Sequence, residues 1–291
     1  MGIAFERIVI VMLENSTVAN VLANAYMNTL RTKGVFLSSS IGVTHPSQPN
    51  YILSIGGDTF GLCNDSPGYV KWGDYGSKSQ ISNIVDLLEA QELTWRCYAE
   101  DLPENYKADA VSGYPQTIPQ DEDHFARRHV PFLSYPNIVT DPVRLSKIVN
   151  ATQFEQDLAN GELPDYTWYT PNLINDGHSL TPEQKKTCSD NSKPHVRIEN
   201  VAEFLSKFLG NDPVSKFPPK TLIVITFDEV YPYDEIYSIY TLLIGDMLEA
   251  GTTVTTPYNH YSMLRSIEVN FDLGDLGRND VTAMPWWFLA E

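Results

Sequence analysis

The chain is poor in basic charge. Its 20 Lys and Arg residues face 37 Asp and Glu, a formal net charge of −17 over 291 residues. Such a chain repels nucleic-acid phosphates and anionic lipid surfaces, which argues against a polynucleotide-binding role. It attracts cations instead. An anionic substrate then needs local compensation, and a bound metal ion is the obvious means. Cysteine is also scarce. Cys63, Cys97 and Cys188 are odd in number and widely spaced. They form neither a zinc motif nor a disulfide framework, and they leave the compartment open. Apolar runs long enough to span a bilayer are missing, so integral membrane association is not expected. Residues 1–16 lack the ordered basic, apolar and small-residue regions of a secretory leader, so the chain as written reads as cytoplasmic. Four catalytic patterns are missing as well. There is no G-x-S-x-G elbow, no H-E-x-x-H, no phosphate-binding P-loop and no G-x-G-x-x-G.

What is present is an ordinary globular composition, suited to one large α/β domain over 1–291 or to two ordinary ones. No internal repeat or low-complexity linker divides it. Ile8 to Leu13 form a continuous apolar run, as in a strand buried on both faces. Val18, Val21, Leu22, Ala25, Tyr26 and Leu30 recur at helical spacing until Gly34. A second helix reads over "ISNIVDLLEAQEL", with Ser82 as its cap. "TWRCYAE", "PDYTWYTPN", "TLIVITFDE" and "SIYTLLIG" read as strands, and "YSMLRSIEVNF" as a helix with an apolar stripe. The alternation predicts an α/β fold, a mainly parallel central sheet with helices on both faces. Residues 101–143, rich in Pro, Tyr and charge, read as an irregular excursion, a lid or substrate wall. Asn64 and Asn150 sit in glycosylation-type triplets, a pattern common by chance.

Several strands end in chemistry. The first delivers Glu14 and Asn15, and "TLIVITFDE" delivers Asp228 and Glu229. "TWYTPN" leads to Asp176 and His178. Sites in open α/β sheets form at the carboxyl ends of strands, so these groups are expected to meet at one sheet edge. Three carboxylates together repel one another, and a divalent cation with oxygen ligands resolves that repulsion. Each residue also has a plainer reading. Asn15 suits a helix cap, Asp228 and Glu229 suit a solvated strand end, and His178 suits a turn. His129 suits a loop beside two arginines, and His260 a helix start. The weight lies in the recurrence of such groups at strand ends. "THPSQPNYILSIGG" adds Ser47 in a proline-flanked turn, either a surface serine or a nucleophile.

"VMLENS", "THPSQPNY", "IVDLLEAQELTW", "RRHVPF", "TPNLINDGH", "TFDE" and "YNHYSMLRSIE" occur in this order. Together they resemble the phosphoesterase family of acid phosphatases and non-specific phospholipases C, most closely its fungal acid phosphatase branch. The likeness runs from about residue 8 to near 280. It implies an alkaline-phosphatase-like fold and chemistry. It implies metal ligation by Glu14, Asn15, Asp228 and Glu229, and a nucleophilic Ser47 where the phospholipase branch has threonine. It places Asn50 near the transferred phosphoryl group, and His129, Asp176, His178 and His260 around the phosphate or a second metal; acid–base chemistry then points to His178 or His260 as proton donor to the leaving group. The cofactor implied is a divalent ion, with Mg, Ca, Mn and Zn all open. The partner implied is a small phosphorylated substrate, and a secreted protein follows should a leader have been removed. "VYPYDE" after "TFDE", and residues 180–200, depart from the family pattern. The expected activity is metal-dependent phosphate monoester hydrolysis through a phosphoserine. A phospholipase C or phosphodiesterase is the alternative, and a non-catalytic binding protein is a third reading that the intact Ser47 and acid pairs oppose.

Overall fold

The computed structural model describes residues 2–66, 81–103, 124–189, 193–231 and 238–289. Eight strands form one sheet in the order β4-β3-β5-β1-β6-β7-β2-β8. They are β1 (Arg7–Leu13), β2 (Val35–Leu37), β3 (Trp95–Ala99), β4 (Ile148–Asn150), β5 (Tyr166–Thr170), β6 (Thr221–Phe227), β7 (Thr241–Ile244) and β8 (Thr253–Val254). The sheet is mainly parallel, as expected, but β7 runs antiparallel to both β6 and β2.

β1 lies at the centre, with β5 on one side and β6 on the other. The continuous apolar run of β1 follows from that position, because alternate side chains point to opposite faces and both faces are covered. Ile8, Ile10 and Met12 enter one core with residues of the helices Ser47–Gly56, Ile84–Ala90 and His260–Phe271. Val9, Val11 and Leu13 enter the other, with the helices Val18–Ala23, Ala25–Leu30, Thr152–Asn160 and Lys193–Leu209. All six are fully buried, each worth roughly 1.5–3 kcal/mol of transfer free energy.

Local chemistry sets the helix ends. The apolar stripe over 18–30 is split at Asn24, whose extended backbone ends one helix and whose side chain accepts from the Met27 N–H of the next at 3.2 Å. Asn83, not Ser82, caps the helix Ile84–Ala90, in a reciprocal box with Asp86. The Ser82 hydroxyl and carbonyl instead accept from Arg278. Gly57 ends the helix Ser47–Gly56 with φ 72°, and a Cβ there would lie 2.7 Å from Asp280 Oδ1.

Of the proposed excursion over 101–143, residues 104–123 lie outside the described residues. The part from Arg127 to Val139 is more regular than its composition suggested. It runs through the short turns Arg127–His129, Pro131–Ser134 and Pro136–Val139, with Phe132, Leu133, Tyr135 and Ile138 fully buried. This half is built into the core. No described helix is long and apolar enough to cross a membrane.

Candidate active site

β1 and β6 are paired in register up to Leu13 opposite Phe227. The next residues of each, Glu14–Asn15 and Asp228–Glu229, therefore leave the sheet side by side. The Asp228 N–H donates to the Leu13 carbonyl at 2.9 Å, and the Asn15 N–H donates to Asp228 Oδ1 at 3.2 Å. Asn15 takes a positive φ of 53°, which Asn tolerates, and its amide contacts the Glu14 carboxylate. β5 adds the loop after Thr170. There the Glu14 N–H donates to the Asp176 carbonyl at 2.8 Å.

Ser47 begins the helix Ser47–Gly56. Its hydroxyl faces Glu229 Oε1 at 2.8 Å and Glu14 Oε2 at 3.1 Å, and the residue is 4% exposed. The serine is thus not a surface loop residue. The turn before it is held by Asn50. The Asn50 carbonyl accepts from the Val43 and Thr44 N–H groups at 3.2 and 3.1 Å, and its amide donates to the Thr44 and Pro46 carbonyls at 2.7 and 3.4 Å. Both amide protons are used, so Asn50 braces the turn before Ser47 from behind. The helix start is also occupied: the Gln48 N–H donates to Asp65 Oδ1 at 2.9 Å.

His129 is buried between two acids. Its Nε2 lies 3.0 Å from Glu14 Oε1 and its Nδ1 3.1 Å from Asp176 Oδ2, while its ring stacks on Tyr51 at 5.0 Å. The Nε2 contact is within ion-pair range but is not aligned as a hydrogen bond. Asp176 also accepts from the His178 N–H at 2.7 Å, and the rings of His129 and His178 are 5.8 Å apart. His260 is different. It starts the helix His260–Phe271, and its Nε2 donates to the main-chain carbonyl of Asp228 at 2.6 Å. It supports Asp228 from the far side and does not reach the cluster with its ring nitrogen Nε2. Burial pushes its imidazole down to about 4.

The acids carry a large electrostatic load. Burial and then Asp228 hold Glu14 well above the ordinary carboxylate range. Burial likewise raises Asp176. Burial and Glu229 push Asp228 up to about 7, and burial pushes Glu229 up to about 7. Glu14 Oε1 and Asp228 Oδ2 are buried oxygens with no hydrogen-bond donor. Among the described residues, His, Cys, Asp and Glu side chains alone do not form a group of three or more set for a metal ion. The donor set here is mixed, including the Asn15 amide and the Ser47 hydroxyl. Its orphaned buried oxygens and raised carboxyls are what a hard divalent cation would satisfy.

The phosphoesterase family matches residues 23–274 of this chain. The chain belongs to the phosphoesterase family. Within it, an acid phosphatase of Aspergillus fumigatus is 34% identical over 285 residues, covering 97% of this chain and 58% of that protein. A probable acid phosphatase of Kluyveromyces lactis is 34% identical over 282 residues, covering 96% and 61%. The chain therefore spans about three fifths of the length of these relatives. In structure it is similar to a protein in the alkaline phosphatase superfamily from Vibrio parahaemolyticus, with a TM-score of 0.54 at 12% identity, over 95% of this chain and 70% of that one. That likeness shows a shared fold.

Two residues of this candidate site escaped the sequence reading. The Nδ1 of His45 contacts Glu229 Oε2. Arg128, 5% exposed, sets its Nη2 3.2 Å from His178 Nε2. Both lie inside motifs already singled out, "THPSQPNY" and "RRHVPF", so membership in those motifs was the available signal. A cavity of about 410 Å³ lies beyond the loop after β5, lined by Glu100, Tyr169, Asn175, Asn200, Phe204 and Phe208 among others. No predicted site residue lines it, and the buried acid cluster is the better candidate.

Proposed function

We propose that this chain is a metal-dependent phosphatase that hydrolyses phosphate monoesters through Ser47. The observation that carries the reading is the Ser47 hydroxyl, buried at a helix start and aimed at two carboxylates that are themselves raised by burial. A hydroxyl is a weak nucleophile until a proton acceptor stands ready, and Glu229 Oε1 is that acceptor at 2.8 Å. Glu14, Asn15, Asp228 and Glu229 are the residues that would hold a divalent cation. Such an ion would supply charge to offset the acids and the anionic phosphoryl group.

In this reading Ser47 Oγ attacks phosphorus as its proton passes to the facing carboxylate. The ester P–O bond breaks, and the leaving alkoxide takes a proton from His178, which stands half-buried on the imidazole side of the cluster. Water then attacks the phosphoserine and gives a proton back to His178, phosphate departs, and Ser47 takes its proton back from the carboxylate. His260 is assigned no proton, because its Nε2 is committed to the Asp228 carbonyl. His129 is assigned the orientation of Glu14 and Asp176, which it bridges.

The test is hydrolysis of p-nitrophenyl phosphate against bis-p-nitrophenyl phosphate, with and without chelator, in wild type and Ser47→Ala. The variant is expected to lose monoesterase activity by roughly three orders of magnitude or more, with a residual rate from the remaining contacts. Acid quench of the wild type is expected to trap phosphate on the Ser47 peptide, and configuration at phosphorus to be retained. Inversion, or near-normal kcat in Ser47→Ala, sinks the nucleophile role.

A further inference from the structure

The motif that carries Ser47 holds one more buried polar group, the hydroxyl of Tyr51. Tyr51 follows Ser47 by four residues on the helix Ser47–Gly56. That spacing sets the two on one face, a turn apart. Side chains of a helix lean toward its N-terminus, so Tyr51 covers the turn that Ser47 begins. The residue is fully buried. Its ring is stacked on His129, with centroids 5.0 Å apart and planes 7° from parallel, and Trp168 is tilted against it at 6.3 Å. A ring needed only to fill space has no use for a hydroxyl, whose burial without a partner is costly. Tyr51 instead carries its hydroxyl in among the acids of the site.

Glu14 is the acid it meets. Burial raises the Tyr51 phenol well above its ordinary range, and the charges of Glu14, Asp228 and Asp176, with the Glu14 carboxylate as acceptor, add to that. The hydroxyl and Glu14 Oε1 are both buried, and neither has a completed hydrogen bond. The two oxygens of Glu14 have different surroundings. Oε2 faces Ser47 Oγ at 3.1 Å and contacts the Asn15 amide. Oε1 lies 3.0 Å from His129 Nε2 without alignment, while the opposite ring nitrogen Nδ1 is aligned on Asp176 Oδ2 at 3.1 Å. Oε1 therefore has capacity for a further donor, and a phenol, protonated throughout the neutral range, is one. We propose that Tyr51 is the positioning residue of Glu14: its hydroxyl donates to Oε1 while its ring fixes the plane of His129, so that Oε2 stays turned to the Ser47 hydroxyl. The helix that presents the nucleophile then also sets a carboxylate that faces it. This rests on the reading of Ser47 as the nucleophile of a phosphate-ester hydrolase, and it adds the residue that holds one of the two carboxylates facing that serine.

The experiment reads activity and stability separately in Tyr51→Phe, which keeps the stacked ring and loses only the hydroxyl. A hydrogen bond to a charged group is worth on the order of 10- to 150-fold. With p-nitrophenyl phosphate, Tyr51→Phe is expected to lower kcat on the order of tenfold and to leave KM within about twofold. Melting in chelator at pH 8 compares wild type, Tyr51→Phe, Glu14→Ala and the double variant. Tyr51→Phe is expected to melt at least about 2 °C below wild type. In the Glu14→Ala background no acceptor remains, and the same substitution is expected to change Tm by less than about 1 °C. An unchanged kcat, or a raised KM at unchanged kcat, overturns the positioning role. So does a Tyr51→Phe variant as stable as wild type, or an equal loss in both backgrounds, which would leave the tyrosine a core residue only. Should Glu14→Ala fail to fold, the kcat, KM and Tm of Tyr51→Phe alone carry the test. A wild type inactive on p-nitrophenyl phosphate overturns the hydrolase reading itself, whereas the melting comparison still reads the contact of Tyr51 with Glu14, so the two failures are told apart.

Discussion

Replacing Asp228 by Asn isolates the electrostatic load of the buried acids. Asp228 is fully buried, and burial together with Glu229 raises its carboxyl from 3.8 to about 7. A carboxyl whose folded pKa lies above its unfolded value weakens the fold when ionised. The penalty is complete above the folded value and is lost as pH falls toward the unfolded one. At about 1.4 kcal/mol per tenfold, that gap sets a ceiling of about 4 kcal/mol, a ceiling because Glu14 and Glu229 share the same protons. Asn keeps an oxygen for the Asn15 N–H but cannot ionise. In chelator at pH 8 the variant is expected to melt above wild type, by up to about 6 °C for a chain of this size. The gain should fall to less than half by pH 5. His129 and His260 are pushed down by burial and so favour unfolding in acid, which tilts the wild-type curve the other way. Variant minus wild type at each pH cancels that tilt. With excess divalent cation the order should reverse, since the variant has lost one of the proposed ligands. Calorimetry at pH 5, 6, 7 and 8, with chelator and with metal, measures all of this. A variant less stable than wild type at pH 8 in chelator, or a difference that ignores pH, refutes the reasoning.

Two further outcomes are expected. Asn50→Ala removes four hydrogen bonds to the backbone of residues 43–46 and should cost about 2–4 kcal/mol in urea unfolding, with activity falling because Ser47 is displaced. Lost activity at unchanged stability would instead return Asn50 to the phosphate. Glu268 lies away from the site, fully buried, with Arg265 on one oxygen and none on the other. Burial and Asp280 push it up to about 8, so its ionised form weakens the fold above that pH. Glu268→Gln should therefore raise the melting temperature at pH 9 by several degrees and progressively less toward pH 5, and a loss at pH 9 would contradict this.

The long strands were legible because β1 and β6 are covered on both faces, which demands unbroken apolar runs. The strands β2, β4 and β8 have three residues or fewer, too short for a period to show. The reversed β7 could not be read either, since local sequence does not encode strand direction. The meeting of Glu14, Ser47, Asp228 and Glu229 followed from strand ends and motif order. Orientation did not. Asn50 and His260 sit in the right motifs, yet the structure turns the first to a backbone turn and the second to a carbonyl. Which way a side chain faces depends on partners far along the chain. Arg128 and His45 were overlooked for the same reason, since their partners His178 and Glu229 lie 50 and 184 residues away.

The pairing of β1 with β6 joins residues 7–13 to residues 221–227. During synthesis the first strand must therefore wait until more than two hundred later residues have emerged before one of its two edges is satisfied. Contacts of such long range are slow to form. The acid cluster comes into being only at that closure, because Glu14 follows β1 whereas Asp228 and Glu229 follow β6. A chain cut short before Thr221 has an open central edge and Glu14 without its partners Asp228 and Glu229. Formation of the acid cluster thus reports the pairing of β1 with β6, and a cation that favours the closed cluster would favour that pairing.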